Sequence, residues 1–181
     1  MILQDEVDKV RSLSNRKDRN NSIFQNNTNI VRFNEFALFT SLNIINSGSF
    51  DGCTNLTSIT LPTGLSEMGG GIFKNCASLE RLVIPEGYRV IGRSLCEKCY
   101  SLTLLDLPST LQTIGDAALF GLSNNVTVVC RAVTPPSFGG FGWYNTGTII
   151  YVPDGSVSTY QAHSDWKSFA DIIHPLSEYV G

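Results

Sequence analysis

Charge is what this chain has least of. Only 16% of its 181 residues are charged, 13 basic and 16 acidic, where an ordinary globular domain has about a quarter. The surface must therefore be polar more than charged. The 13 bases are spread over the whole chain and build no clustered basic face of the kind duplex nucleic acid requires, so a nucleic-acid partner is excluded. No apolar run approaches the roughly 20 residues that span a bilayer. The opening Met1 to Asp8 has acids where an export signal carries bases and an apolar stretch. Histidine occurs twice, at His163 and His174, and neither belongs to a recognisable catalytic motif. Ser164 and Asp165 beside His163 invite a Ser-His-Asp reading, but adjacency in sequence says nothing about that geometry. There is no glycine loop followed by lysine to hold phosphate and no calcium-loop spacing of acids. No catalytic, metal or cofactor-binding residue is assigned, no cofactor is expected, and the chain reads as not an enzyme. Five cysteines is an odd number, so at least one thiol is free or pairs between chains, with a reducing compartment or buried thiols as the plain expectation.

What is present is a repeat. In steps of 23 the central segment reads LNIINSGSFDGCTNLTSITLPTG from Leu42, LSEMGGGIFKNCASLERLVIPEG from Leu65 and YRVIGRSLCEKCYSLTLLDLPST from Tyr88, with a degenerate fourth copy from Leu111. The columns hold without insertion: Ile45, Met68, Ile91, Ile114; Phe50, Phe73, Cys96, Leu119; Cys53, Cys76, Cys99, Leu122; and Ile59, Leu82, Leu105, Val128. Pro62, Pro85 and Pro108 close three of the units. A period of this length fits a solenoid in which each coil adds one short strand to a common sheet, because no single coil can bury its apolar side alone. Alternation turns Ile59 and Leu61 inward and Ser58 and Thr60 outward. Gly69-Gly70-Gly71 is read as a place where backbones turn or approach closely.

The flanks lack the period. Residues 1–30 read as a leader, for which a charged helix over Asp5 to Arg19 and a flexible segment both fit, followed by an Asn-rich loop. Residues 31–181 read as one domain: an irregular N-terminal cap over 31–41, four repeats over 42–130 and a C-terminal cap over 131–181. Phe33, Phe36, Leu38 and Phe39 are expected to cover the first coil. In the C-terminal cap, 148–153 reads as one final strand, and 156–163 and 165–172 as helices. The second of these has Asp165 as N-terminal cap and Trp166, Phe169 and Ile173 as its apolar stripe.

The units F-x-x-C-x-x-L-x-x-I/L-x-L/I-P resemble the BspA-like leucine-rich repeats, also called the Treponema pallidum-type repeat. The tail from Ala132 through Ile150-Tyr151-Val152-Pro153-Asp154-Gly155-Ser156 to Tyr160 and Trp166 is similar to the capping segment of such proteins from gut bacteria. The resemblance implies a short right-handed solenoid, α/β by family but mostly β. It also implies a non-catalytic module that binds protein or glycan at a cell surface or after secretion, although the family also occurs in protists and the chain carries no export signal, which leaves a cytoplasmic address open. A structural spacer without its own ligand is the alternative, and a hydrolase the weakest reading.

The cysteine column is where metal or disulfide chemistry would sit, since equivalent atoms of successive coils stack about 5 Å apart. Leu122 occupies the same column, however, and an apolar substitute makes no sense in a ligand set, so the thiols read as small core residues. Binding must use the outward strand positions: Ser58, Thr60, Arg81, Val83, Leu104, Asp106, Thr127 and Val129. Trp143 and Tyr144, in an aromatic and glycine-rich loop, are a second candidate for gripping protein or sugar. Self-association through the N-terminal sheet edge is a further expectation. Four Asn-x-Ser/Thr acceptor patterns, including those at Asn55 and Asn125, are incidental in so Asn- and Thr-rich a chain.

Overall fold

The structure is a computed structural model that describes residues 24–40, 42, 44–65, 67–122, 125–139 and 147–181. Its strands, two to four residues long, are β1 (Arg32–Phe33), β2 (Ile44–Ile45), β3 (Ser58–Ile59), β4 (Glu67–Met68), β5 (Arg81–Val83), β6 (Val90–Ile91), β7 (Leu104–Leu107), β8 (Thr113–Ile114), β9 (Thr127–Cys130), β10 (Ser137–Phe138), β11 (Ile149–Val152) and β12 (Ile173–Pro175). The chain returns to the same side once per coil, so pairing is parallel throughout. One sheet runs β1-β3-β5-β7-β9-β11-β12, faced across a thin core by β10-β8-β6 and β2-β4. Arg81 pairs with Leu104 and Leu104 with Thr127, which is the 23-residue step made physical.

Two-residue strands have little pairing of their own, and the stacked columns hold them. Leu56, Leu79 and Leu102 are fully buried, as are Leu82, Leu105, Val128 and Ile150. A column that the sequence reading passed over, Ser49, Ile72, Leu95 and Ala118, is buried as well. Phe24, Phe50 and Phe73 stack face to face with centroids 5.1 and 5.5 Å apart. Phe24 therefore extends the repeat toward the N-terminus, and residues 24–30, expected in the leader, pack with the domain. The backbone agrees: Phe24 N–H donates to Ser49 O at 2.9 Å and Asn26 N–H to Asp51 O at 2.7 Å. Phe33, Phe36 and Phe39 cover the first coil as expected, but Leu38 points to solvent at 77% exposure, because it ends the 3-10 helix Asn34–Leu38 on the side away from the core. The expected helix over Asp5 to Arg19 lies outside the described residues.

Between the two sheets each coil turns through left-handed backbone. Gly48, Gly71, Ser94 and Ala117 form one positive-φ column, and Asn26, Gly52, Asn75, Lys98 and Gly121 another. Gly69, Gly92 and Gly115 serve a different need. A Cβ on Gly92 would lie 2.8 Å from Gly69 O, so the coils can approach this closely only with glycine there.

The C-terminal cap contains more strand than expected. Besides β11 it supplies β10 to the second sheet and β12 to the first, and Ile173 sits in β12 rather than on a helix. The segment 165–172 forms a 3-10 helix (Lys167–Ile172) that Asp165 does not cap. Instead its carboxylate accepts the Phe138 N–H at 3.0 Å, which ties the cap to β10. The last coil is sealed by the α-helix Val157–Ala162 and the turn after it. Tyr160 and Trp166 are fully buried and meet edge to face at 5.0 Å. Their polar ends are satisfied, Tyr160 Oη donating to Ala132 O at 2.8 Å and Trp166 Nε1 to Pro136 O at 2.7 Å.

Candidate functional site

The outward face of the seven-stranded sheet carries two rows fixed by register. The first runs Arg32, Ser58, Arg81, Leu104, Thr127 and Ile149, and the second continues Val83, Asp106, Val129, Tyr151 and His174. Thr60 extends the second row on the far side of Val83, and its Oγ1 lies 3.3 Å from Asn34 Oδ1. All eight strand positions expected on this face occupy it, yet they are not equally available. Thr60, Arg81 and Val83 are exposed, Ser58, Asp106 and Thr127 are half-buried, and Leu104 and Val129 are buried.

Leu104 and Val129 are therefore corrected as contact residues. Leu104 is flanked by Arg81 and Thr127 at the spacing of neighbouring strands, which leaves little room for a partner's side chain to reach it. Val129 sits between Asp106 and Tyr151, and both of those neighbours are built over. The Arg131 guanidinium grips the Asp106 carboxylate through two hydrogen bonds of 2.8 Å, and Asp106 in turn raises the guanidinium's own affinity for its proton. Tyr179 packs on Tyr151 with centroids 5.2 Å apart. His174 pairs with Tyr151 through β12 and lies 3.5 Å from Glu178. Tyr151, Ile149 and Arg131 were not foreseen on this face. Carrying the Thr127 and Val129 rows one coil further onto the recognised strand at 148–153 would have found the first two. Trp143 and Tyr144 lie outside the described residues.

The thiols are core, with a function beyond filling space. Cys53, Cys76 and Cys99 donate their S–H to Phe24 O, Phe50 O and Phe73 O of the preceding coil at 3.0, 3.1 and 3.0 Å. The column is thus a ladder that supplies a second donor to carbonyls no water can reach. Cys96 and Cys130 are likewise buried and free, the latter 3.2 Å from Tyr160 Oη. Burial pushes the Cys53 thiol up to about 11 and the others in the same direction, so all five stay protonated. Among the described residues no group of three or more His, Cys, Asp or Glu could hold a metal. His163 Nδ1 accepts the Asp165 N–H while Ser164 Oγ donates to Asp165 Oδ1, so these neighbours form a local turn and no proton relay.

Parallel coils on a 23-residue step, each adding one strand to a common seven-stranded sheet over an apolar interior, define a leucine-rich-repeat solenoid. The chain belongs to the BspA type leucine rich repeat family, whose model matches residues 17–134 in 6 copies. The repeat is thus longer than the four units read from the columns, and the half-coil of Phe24, Asn26, Ile30 and Phe33 accounts for part of the difference. A crystal structure of the T. pallidum leucine rich repeat protein shares the fold, with TM-score 0.51 and 24% identity over 78% of this chain and 74% of that one. No curated protein matches the chain. Repeats of this kind make a protein-binding or structural module, and the fold is typically non-catalytic. Among the described residues no helix is long and apolar enough to cross a membrane.

Proposed function

We propose that this domain is a non-catalytic binding module of adhesive type, displayed at a cell surface or secreted, that holds a protein partner on the outward sheet face. The observation that carries the reading is the patch of Thr60 and Val83 beside Ser58 and Arg81. There a valine keeps 49% of its surface in water on a rigid parallel sheet, ringed by polar groups. An apolar centre with a polar rim on a preformed surface is the anatomy of a protein contact, and a rigid face loses little entropy on binding. The sheet edges are poorer templates. β1 has two residues and β12 ends in Pro175, which cannot donate a hydrogen bond. The face therefore takes precedence over edge-to-edge association of copies.

Burial of Leu104 and Val129 and the closed Asp106–Arg131 pair favour a second reading, a spacer in a larger surface protein, because they take the middle of the face out of contact. Immobilised domain titrated with a panel of extracellular matrix proteins separates the two. The binding reading expects saturable association that Val83→Glu weakens at least tenfold without a change in melting temperature. A folded domain that binds nothing in the panel supports the spacer.

A further inference from the structure

The buried leucine column breaks at Asn125, and several unusual residues meet beside it. Asn125 stands in the column of Leu56, Leu79 and Leu102, and the fourth coil buries Val126 instead. Beside the exposed Asn125, an open groove of about 610 Å³ lies on the flank of the sheet, lined by Glu80, Arg81, Tyr100, Ser101, Thr103 and Asn125. Four of these depart from their own columns. Glu80 replaces the threonine of Thr57 and Thr103, Arg81 stands among Ser58, Leu104 and Thr127, Tyr100 follows Thr54 and Ala77, and Asn125 replaces leucine. A solenoid that only needed to stack would not gather an arginine, a carboxylate, an amide and an aromatic ring from three successive coils around one groove.

None of the four is occupied by structure. Among the described residues the side chains of Glu80, Arg81, Tyr100 and Asn125 have no ion-pair or hydrogen-bond partner, and the Tyr100 side chain is exposed at 59%. Thr103 differs, its hydroxyl being spent on Glu80 O at 3.0 Å. We propose that this groove is a binding subsite for an acidic sugar, a hexuronate unit of a saccharide. The free guanidinium matches a single carboxylate in bidentate fashion. Tyr100 offers a flat apolar face to the C–H side of a pyranose ring, with its hydroxyl at the wet end. Asn125 and Ser101 supply donors and acceptors, and Glu80 accepts sugar hydroxyls. The same carboxylate beside Arg81 repels a doubly charged phosphate or a dense polyanion, which selects an anion of one charge surrounded by hydroxyl groups.

The site stands apart from the Val83 patch except for the shared Arg81, so the two proposals fail separately. Titration of the folded domain with trigalacturonate, followed by amide NMR shifts, is the test, with maltotriose, galacturonate and acetate in parallel. Expected is saturable binding of trigalacturonate at about 0.1–1 mM, at least tenfold weaker for maltotriose. Galacturonate is expected to follow the same shifts more weakly, and acetate to cause none that saturates. Arg81→Ala and Tyr100→Ala should each lose at least tenfold with melting temperature unchanged, since both side chains are exposed, and Tyr100→Trp should retain binding. Absence of saturable shifts with trigalacturonate, equal affinity for maltotriose, or full affinity in both alanine variants would overturn the proposal.

Discussion

At the residue scale the cysteines illustrate how a column explains a side chain better than a motif does. Each of Cys53, Cys76 and Cys99 is a core atom and a hydrogen-bond donor at once, and burial keeps each protonated. Native protein at pH 8 should therefore give almost no reaction with a disulfide reagent, and all five thiols should appear in one step along the denaturant unfolding curve. A fast-reacting thiol in native buffer would contradict their placement. Tyr88 is the opposite case. Its ring is fully buried, and its hydroxyl has no partner among the described residues. A buried unpaired hydroxyl costs about 1–3 kcal/mol of desolvation, so Tyr88→Phe should raise stability by roughly 1 kcal/mol in urea melts. A loss of that size would mean the hydroxyl is satisfied.

At the scale of elements the repeat ties local strain to global spacing. Ala117 holds φ at +52° in the column where other coils place Gly48 and Gly71. Glycine adopts that conformation without the Cβ penalty, so Ala117→Gly should be neutral to stabilising by up to about 1 kcal/mol, despite the added entropy of the unfolded chain. Gly92→Ala should do the reverse, costing roughly 1–3 kcal/mol, because the new methyl forces two coils apart. In the cap, the Phe138 N–H and the Ser164 hydroxyl hold the Asp165 carboxyl below its ordinary 3.8. A depressed carboxyl contributes stability above its unfolded value and loses it as pH falls through the folded one. The stability gap between wild type and Asp165→Asn should accordingly shrink below about pH 4. A gap constant from pH 7 to pH 3 would show that the contact is not made in solution.

These elements were unequally legible. Columns of Leu, Ile, Phe and Cys repeat at one spacing, so the strands of the central coils could be placed from sequence to within a residue or two. Phe24 escaped because its distance to Phe50 is 26, and a fixed step of 23 does not reach it. Asp165 was misread because a carboxylate before an apolar run satisfies the capping rule locally, while its partner, the Phe138 N–H, lies 27 residues away. The outward face was legible as a row and illegible as a surface. Alternation says which way Leu104 and Val129 point, but only the tertiary arrangement of Arg131, Tyr151 and Tyr179 shows that Val129 is covered.

At the scale of the whole molecule, stacking turns a weakly charged, Asn- and Thr-rich chain into a solenoid of facing sheets, closed at one end by Phe24, Phe33 and Phe36 and at the other by Tyr160 and Trp166. Because the native thiols are buried, a cysteine introduced on the surface can be modified alone. Val83→Cys on the outward face and Val90→Cys, 54% exposed on the second sheet, carry the same chemistry to opposite sides of the solenoid. The direct test is to attach a polyethylene glycol chain to each and measure association with the matrix proteins that bind the unmodified domain. The account predicts that the adduct at position 83 abolishes saturable binding while the adduct at position 90 leaves it within about twofold. Undiminished binding with position 83 blocked would contradict it.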